Sequence, residues 1–550
     1  MLPEKKINKL KLFLGSLSML LFSTQLILAQ DCKETVQPLS SKAIKGYLYD
    51  VSKDASGNSN VTYKMKLDKK SEAITFEKYT FDKDIKYIST TDVQETKETK
   101  PDRERTYLYA NVGGSTSFDV LSMKLKINKV VRLQTWNHEK QIYINKKTIT
   151  NETVKPKNDA GKVYLGYASY SSEEAEKPGV FILAKTEGKK KTENDAFYIL
   201  MLNDQLELKE TPLDLSGSYS LEYCEQVKNE NVVMIFAPNE GAADLTKYIY
   251  YEYDITGKQL VKTTFTSPSS ALLITSIYQS EGNIYCFGTS AKTKEAFSEV
   301  YNEYAPIYNP GYTEGGNNLK DFKWRKSLDE SMDNFHLLKF TGSELVFAST
   351  TPVTEFKAKF KTAPGDKGAS VYKGKKFYIE NFYVTKEEDY LIAGQLTSTV
   401  SLGMGNVVDS YEDIVCFHFD KTAKLKAQYG IGKINNDKKS EIFSMQQRFY
   451  PSPDGKSMYW ELMEVKGTEG YESFMAAYNG VKSFYPLYFP RIVKIDLNAS
   501  SMGAVKLMGE EKYFLRRDFT SQFDKTENSI TYIGHDDDYK KLWLGKVILN

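Results

Sequence analysis

The chain has 550 residues, of which 41% are hydrophobic and 27% are charged, and its formal net charge is +2. These values are typical of a folded protein that is long enough for several domains or for one large repeat array. A net charge so close to zero gives no electrostatic basis for binding nucleic acid, so we expect no such partner. The 39 Tyr and 29 Phe residues favour β-structure over helix, because aromatic side chains are enriched in strands.

The N-terminus has the layout of a secretory signal peptide. Four lysines precede an apolar run from Leu12 to Leu28, and Ala29 offers a cleavage point. We therefore predict that residues 1–29 are a signal peptide and that the protein is exported, to the periplasm, the outer membrane or the extracellular medium. An uncleaved anchor is the alternative, although polar residues interrupt the run and make it a poor membrane span. No other stretch of the sequence could span a membrane.

The four cysteines form neither a zinc motif nor an evident disulfide pattern. No two of them stand at CxxC spacing, so a zinc site is not expected. Cys224, Cys286 and Cys416 lie in apolar, strand-like runs, which favours buried thiols. Cys32 leaves a lipoprotein open as an alternative, although Asp31 before it is unlike the small residue that a lipobox needs. Whether Cys32 is lipidated or disulfide-bonded stays open.

Strand-like patterns fill the chain from Ile44 to the C-terminus, after a polar lead-in at residues 30–43 that we expect to be flexible. The recurring unit is an apolar strand, a polar turn and a second apolar strand, followed by a variable connection to another such pair. Residues 44–150 contain further hairpin patterns, which supply one or two units. Irregular spacing of the turns indicates a repeat array with insertions. The turn positions that open the clearer units are Gly161, Glu230, Gly282, Glu388, Gly455 and Asn528.

The clearest unit surrounds the turn Ser452-Pro453-Asp454-Gly455-Lys456. Proline presets φ, aspartate bonds its own backbone and glycine accepts a positive φ, so the segment predicts strand, turn, strand. This turn resembles the repeat of TolB-type, WD-like β-propellers, in which it joins the first two strands of a blade. The resemblance is good at this unit and only general at the other five, and it implies an interaction platform. The leader and the richness in Lys, Tyr and Asn resemble exported proteins of Bacteroidetes-type organisms.

We therefore predict an all-β fold, namely a single β-propeller over residues 44–550 with about seven four-stranded blades. Six and eight blades are the alternatives, and a two-domain sandwich is the alternative architecture. The last strand, Leu542–Leu549, is expected to close the ring by pairing near Ile44–Tyr49.

Four long connections are the main functional feature of the sequence. Each is expected to lie between the second and third strands of its blade, so that a common topology places all four on one rim. They are Ser169–Asn194, Thr289–Asn334, Thr397–Glu412 and Lys466–Pro490.

Two of these connections are rich in aromatic residues, which offer a large contact area to a protein or a glycan. The alternative is that the rings pack on one another and anchor the loops. The residues that we predict to contact a partner are Tyr301, Tyr304, Tyr308, Tyr312, Trp324, Tyr471, Phe474, Tyr478, Tyr485 and Tyr488.

The sequence contains no catalytic motif. Its four histidines do not stand at metal-ligand spacing, and it has neither a Gly-x-Ser-x-Gly elbow nor a phosphate-binding glycine-rich loop. His418 lies between two phenylalanines and is expected to be structural. His535-Asp536-Asp537-Asp538 is expected to be a solvated turn, with calcium binding as the open alternative. No other cofactor is expected.

The leading hypothesis is an exported, monomeric propeller that binds or scaffolds an envelope protein or a glycan and is not an enzyme. The alternative is a hydrolase that acts on glycans or lactones through carboxylates in a central tunnel or through bound calcium. Paired catalytic carboxylates are set by their separation in space. No catalytic residue can therefore be named from the sequence.

Overall fold

The computed structural model describes residues 32–65, 73–96, 103–112, 116–125, 128–133, 138–144, 147–154, 162–170, 179–186, 196–203, 208–215, 217–227, 231–301, 332–403, 406–435, 441–469, 485–516 and 521–550. In these ranges the chain is all-β, as predicted, with three short α-helices: α1 (Ser41–Lys45), α2 (Phe297–Val300) and α3 (Val353–Ala358). None of the helices described is long and apolar enough to cross a membrane.

Strand β1 (Cys32–Pro38) opens the described part of the chain, and the next strands form six sheets that we number in chain order. Sheet 1 contains β2 (Tyr47–Lys53), β3 (Ser59–Lys64), β4 (Ala73–Phe81) and β5 (Tyr87–Thr96), and sheet 2 contains β6 (Arg103–Val112), β7 (Thr116–Leu125), β8 (Asn128–Leu133), β9 (His138–Ile144) and β10 (Lys147–Val154). Sheet 3 contains β11 (Lys162–Tyr170), β12 (Gly179–Thr186), β13 (Ala196–Asn203) and β14 (Leu208–Pro212), and sheet 4 contains β15 (Tyr219–Val227), β16 (Asn231–Pro238), β17 (Lys247–Asp254) and β18 (Gln259–Thr266). Sheet 5 contains β19 (Leu273–Ser280), β20 (Asn283–Ser290), β21 (Asn334–Thr341) and β22 (Glu344–Pro352), and sheet 6 contains β23 (Phe360–Thr362), β24 (Phe377–Val384), β25 (Tyr390–Gly403), β26 (Asn406–Phe419) and β27 (Leu425–Ile431).

Sheet 7 combines the C-terminal strands with β1. Its other members are β28 (Gln447–Pro451), β29 (Ser457–Glu469), β30 (Tyr485–Asp496), β31 (Ser501–Met502), β32 (Lys506–Leu507), β33 (Tyr513–Arg516), β34 (Ser521–Asp524), β35 (Ser529–Asp536) and β36 (Lys541–Ile548). Strand β33 pairs with both β30 and β35 and so joins two groups of strands into one sheet.

Sheets 1, 3, 4 and 5 have the simple topology of the repeat unit, in which each strand pairs antiparallel with the next. Sheet 7 departs from it by its branches, and sheets 2 and 6 depart from it by parallel pairs. In sheet 2, β6 pairs in parallel with β8, and in sheet 6 the short β23 adds in parallel to β27. Sequential antiparallel pairing puts the connection between the second and third strands at one end of a sheet and the two other turns at the opposite end.

If the short β23 of sheet 6 is set aside, the first strand of five sheets carries a β-bulge against the second strand, in β2, β11, β15, β19 and β24. The bulges explain a glycine that recurs in the apolar second strand. A Cβ atom at Gly394 would lie 1.9 Å from the carbonyl oxygen of Tyr378, and one at Gly288 would lie 2.6 Å from that of Leu273. Only glycine allows the two backbones to approach this closely.

The predicted turns are confirmed where the structure describes them. Gly282, Glu388, Gly455 and Asn528 all have positive φ, between 46° and 77°. At the clearest unit the backbone N–H of Ser457 donates to the Ser452 hydroxyl at 3.0 Å, which locks the turn between β28 and β29. Gly161 and Glu230 lie outside the described residues.

The N-terminal prediction was wrong in two respects. Within the predicted lead-in of residues 30–43, the described residues from Cys32 onward are not loose, because Cys32–Pro38 forms β1 and Ser41–Lys45 forms α1. It is β1, and not Ile44–Tyr49, that pairs with the last strand, in an antiparallel register from Cys32 opposite Val547 to Pro38 opposite Lys541. Seven consecutive backbone pairings offset the weak apolar character of β1.

The hydrophobic cores lie between sheets rather than within one layer. Separate clusters fill the spaces between sheets 3 and 4, 4 and 5, 5 and 6, and 6 and 7, and a further cluster joins sheet 1 to β35 and β36 of sheet 7. Aromatic rings dominate several of these spaces, as where Tyr250 of sheet 4 stacks on Phe340 of sheet 5 at 4.4 Å. Each buried side chain of this size contributes about 1.5–3 kcal/mol. Sheets 3 to 7 are therefore held face to face in chain order, and sheet 1 packs on sheet 7.

Candidate functional sites at one end of the sheets

Sheets 6 and 7 each send a β-hairpin past the end of the sheet. In sheet 6, β25 and β26 stay paired to Gly403 opposite Asn406, whereas the pairing of β25 with β24 reaches only Leu396, opposite Phe377. In sheet 7, β29 and β30 stay paired to Glu469 opposite Tyr485, whereas the pairing of β29 with β28 reaches only Leu462, opposite Gln447. We call these extensions arm 1 (residues 397–403 and 406–411) and arm 2 (residues 463–469 and 485–490).

The arms correct the picture of the four predicted insertions. Both arise between the second and third strands, as predicted, but Thr397–Glu412 is largely continued strand rather than loop. In Lys466–Pro490, residues 466–469 and 485–490 are strand as well, and residues 470–484 lie outside the described part. Thr289–Asn334 also occupies this position and contains α2, while residues 302–331 lie outside the described part. Ser169–Asn194 was wrongly assigned, because Gly179–Thr186 within it is strand β12.

Polar contacts join the bases of the two arms. The backbone N–H of Tyr411 in arm 1 donates to the carbonyl oxygen of Glu441 at 2.6 Å, and the Glu441 carboxylate pairs with Lys433 at 2.9 Å. The next residues beyond Lys433 then meet arm 2. The backbone N–H of Asn435 donates to the Glu464 carboxylate at 2.8 Å, and the same carboxylate forms a buried ion pair with Arg491. These contacts fix the positions of the two arm bases relative to one another.

Arm 2 also contacts the turn between β35 and β36, where the predicted His535-Asp536-Asp537-Asp538 segment lies. Lys466 pairs with Asp537, and its ammonium lies 4.3 Å from the centre of the Phe514 ring. Asp536 accepts backbone N–H groups of Lys540 and Lys541. Within the described residues, no group of three or more His, Cys, Asp or Glu side chains could hold a metal ion. The segment is a charged turn, and its calcium alternative gains no support.

Only part of the predicted aromatic contact set can be located. Tyr301 and Tyr488 are core residues, 2% and 3% exposed, so the prediction that these two face a partner was wrong. Tyr301 packs on Phe297 of α2 and anchors the base of its insertion. Tyr485 opens β30, opposite Glu469, but its side chain is not described. The members that lie outside the described residues are Tyr304, Tyr308, Tyr312, Trp324, Tyr471, Phe474 and Tyr478.

His336 and His418 are buried and hydrogen-bonded within the protein. His418 Nε2 lies 2.9 Å from the Asp389 carboxylate, which also pairs with Lys426, so its predicted structural role is confirmed. His336 Nε2 lies 2.8 Å from the Ser290 hydroxyl, and burial lowers the pKa of His336 to about 4. A serine–histidine pair of this kind is a nucleophile–base arrangement only where substrate can reach it. Ser290 and His336 are each 1% exposed.

Two carboxyl groups on β15 have a raised pKa. Burial raises the pKa of Glu222 well above its usual value, and it also raises the pKa of Glu225. Glu222 accepts the backbone N–H of Ile274 at 3.0 Å, so it ties β15 to β19, the first strand of the next sheet. The thiols of Cys224, Cys286 and Cys416 are buried, as predicted, and burial raises their pKa values as well.

Sequence reasoning missed one cavity. It lies between sheet 1 and the β35–β36 turn, has a volume of about 170 Å³, and is lined by residues that include Tyr47, Tyr63 and His535. Tyr63 and His535 are 472 positions apart in sequence, and their hydrogen bond exists only because the first and last parts of the chain meet. No local pattern could have indicated it.

Comparison with known proteins does not identify the chain. No family model matches it, and no curated protein matches it. Among solved structures, a puromycin-hydrolysing peptidase of Mycobacterium tuberculosis is 7% identical, with a TM-score of 0.26, and covers 90% of this chain; the chain spans 59% of that protein. The Synechocystis apocarotenoid oxygenase is 9% identical, with a TM-score of 0.25, over 88% of this chain and 90% of its own.

A neuraminidase-like protein of A/flat-faced bat/Peru is 11% identical, with a TM-score of 0.23, over 74% of this chain and 87% of its own. Likenesses this distant carry no inference about what the chain does.

Proposed function

We propose that the protein is an exported β-propeller that binds a partner in the cell envelope at the end of the sheets that carries arms 1 and 2. The observation that carries the proposal is that two neighbouring hairpins extend at the same end of their sheets and that Lys433, Asn435 and Glu441 link their bases. The base of arm 2 is packed, since Val465 and Tyr488 lie in the core between sheets 6 and 7. A two-stranded hairpin beyond such a base is marginally stable by itself, and a bound partner would stabilise it.

The propeller part of the proposal rests on the order of packing. First strands of successive sheets contact one another, β11 with β15, β15 with β19, β19 with β24 and β24 with β28. Sheet 1 in turn packs on the end of sheet 7, as expected when a ring of blades closes. If the two halves of sheet 7 count separately, the ring has eight blades, one more than the preferred sequence prediction.

Capture of a partner from solubilised envelope and spent medium tests the binding function. The bait is the exported chain, and the variant replaces residues 470–484, at the tip of arm 2, with a short Gly-Ser turn that keeps Glu469 opposite Tyr485. A matched control makes a Gly-Ser replacement in the Asp254–Lys258 turn between β17 and β18, at the opposite end of the sheets.

The proposal predicts one or more partners retained by the wild type and the control and lost by the arm 2 variant, with equal melting temperatures for all three. Identical capture by all baits, or no capture at all, would contradict binding at this end.

The hydrolase remains the second candidate, and the raised pKa values of Glu222 and Glu225 are the observation that favours it. A protonated carboxyl group is what a glycosidase needs as its general acid. Against it, Glu222 is fully buried and already accepts a backbone hydrogen bond. Glycan and lactone hydrolysis by the wild type, abolished in Glu225→Gln, would establish it; equal activity in the two proteins, or none in either, would exclude this site.

A further inference from the structure

The cavity between sheet 1 and sheet 7 lies where the first described strands meet the last ones. One wall comes from the segment that leads from β1 through α1 into β2, and the other from β35 and the turn that follows it. Gly46 at the end of α1 is required for this wall, since a Cβ there would lie 2.4 Å from the carbonyl oxygen of Lys64. The Phe514 ring, which packs on Lys466 of arm 2, lies 5.6 Å from the Tyr539 ring in the cavity lining. The buried Phe514 ring therefore lies between Tyr539 of the cavity lining and Lys466 of arm 2.

Its size suits one ring. A volume of about 170 Å³ compares with the roughly 150 Å³ of an engineered apolar cavity that takes up benzene. A peptide helix or a disaccharide would need several times this space, because pockets for larger ligands measure about 300–1,000 Å³.

Its lining suits a neutral ring. The apolar part of the wall comes from Leu39, Ala43, Ile44 and Leu48. None of the lining residues is an aspartate, glutamate, lysine or arginine. Transfer of a charged group into such surroundings without a partner is strongly unfavourable.

The polar side chains of the lining are Tyr47, Tyr63, Tyr539 and His535, and two of them are hydrogen-bonded to each other. The Tyr63 hydroxyl and His535 Nε2 share a hydrogen bond, and the Tyr63 ring is held edge-on against Tyr79 at 5.8 Å. One ligand hydroxyl could join this pair. A pyranose would bring several hydroxyls, and each one left unpaired would cost about 1–3 kcal/mol. An aromatic ring with a single hydroxyl leaves none unpaired.

We propose that this cavity binds a neutral phenol-type ring. The ring belongs either to a tyrosine side chain of the partner or to a free phenolic compound. The first source rests on the proposed function and names the group by which the partner is recognised, whereas the second does not depend on it.

Titration of the full exported chain with p-cresol tests the proposal, with binding measured by calorimetry and by ligand-observed NMR. Toluene, which lacks the hydroxyl, and methyl α-glucopyranoside are titrated in parallel. We expect p-cresol to bind at least tenfold more tightly than either. No detectable p-cresol binding, or equal binding of p-cresol and the glucoside, would overturn the proposal.

Two variants of lining residues test whether the ring binds in this cavity. Ala43→Leu fills the cavity and is expected to weaken p-cresol at least tenfold. Tyr63→Phe removes the hydroxyl and is expected to weaken p-cresol about tenfold while changing toluene binding less than twofold. Tyr253→Phe, which removes a buried hydroxyl from sheet 4, is the matched control and should leave both affinities unchanged. If Ala43→Leu does not fold, the Tyr63→Phe comparison decides, and unchanged p-cresol affinity in it would contradict the proposal.

Competition experiments distinguish a tyrosine of the partner from a free phenol as the bound ring. They also distinguish failure of the cavity site from failure of the proposed envelope-binding function. Displacement of the captured partner by p-cresol, with N-acetyl-tyrosine amide binding equally well, would assign the ring to a tyrosine of the partner. Binding of p-cresol by a protein that captures nothing would leave the cavity site standing while the envelope-binding function fails. Capture that depends on arm 2 but not on p-cresol or Tyr63 would support the function and restrict the cavity to free phenols.

Discussion

The space between sheets 4 and 5 and the base of arm 2 each bury a glutamate, but they surround its carboxyl group with different hydrogen-bond donors. Glu222 and Glu464 are both 0% exposed. Glu222 has one backbone N–H donor and an oxygen, Oε2, that makes no hydrogen bond within the described structure, and burial raises its pKa. Glu464 has a guanidinium and two backbone N–H donors. The first region tolerates a carboxyl group as a neutral side chain, while the second is organised around a charge.

The largest expected effect follows from removing the cation at the base of arm 2. Arg491→Met leaves the Glu464 carboxylate buried without its counter-ion, which is expected to lower the free energy of unfolding by about 3–5 kcal/mol. Urea unfolding measures the change. The double variant Arg491→Met/Glu464→Gln, which keeps an acceptor for the two N–H groups, should recover most of the loss. A single variant as stable as the wild type would show that the ion pair does not organise this region.

Adding a Cβ atom is expected to reduce stability where β25 lies close to β24, and not in arm 2. Gly394→Ala places a Cβ against the carbonyl oxygen of Tyr378 and is expected to cost about 3 kcal/mol, at the upper end of the range for overpacking. Gly467→Ala in arm 2 has no neighbour within 4 Å and should stay within about 0.5 kcal/mol of the wild type. Thermal melts of both variants make the comparison, and equal losses would contradict the close approach at the bulge.

The raised pKa of Glu222 predicts a pH dependence of stability. Because its folded-state pKa is raised, its contribution to stability is intact below the unfolded pKa of about 4.3 and is lost as pH rises toward the folded value. Glu222→Gln should therefore match the wild type near pH 4 and become progressively more stable than it as pH increases. Urea midpoints between pH 4 and pH 8 provide the test. A constant difference across this range would mean that Glu222 is not held neutral.

His336 should respond in the opposite direction. Its pKa is lowered to about 4, so its contribution is intact above about pH 6.5 and is lost as pH falls toward 4. His336→Gln should be less sensitive than the wild type to acid in that window, by urea unfolding at the same series of pH values. An unchanged acid transition would show that protonation of His336 does not contribute to the loss of stability at low pH.

The smallest effect is expected at a turn at the opposite end from the arms. Glu388 has a φ of 64°, which costs a non-glycine residue about 1–2 kcal/mol. Glu388→Gly relieves this strain but adds backbone entropy to the unfolded chain, so a net gain of about 0.5 kcal/mol is expected. A small rise in melting temperature is the readout, and a fall would contradict the turn geometry.

The features that could be predicted from sequence are those that depend on neighbouring residues. The Ser452–Lys456 turn, the strand pairs that flank it and the positive φ at Asn528 follow from local turn chemistry and alternation. The pairing of Cys32–Pro38 with the last strand could not be predicted, because its seven residues carry little apolar pattern and their partners lie more than 500 positions away. Thr397–Glu412 resembles a polar loop for a similar reason, since its two strands pair mainly with each other.

The candidate site could be predicted only in outline. A common position for the insertions on one rim follows from the repeat. The cavity does not, because Tyr63 and His535 are ordinary strand residues until the first and last sheets meet.

Hydrogen–deuterium exchange of residues 32–38 tests the central claim most directly, because the closure of β1 on β36 brings the cavity together and places it beside arm 2. Closure predicts that the alternate amides of residues 32–37 that donate to β36 exchange as slowly as the amides of Lys541–Ile548, whereas the amides on the outer edge of β1 exchange fast. Exchange of all amides of 32–37 within seconds, beside a protected C-terminal strand, would show that the chain does not close in this way and would contradict both the ring and the cavity.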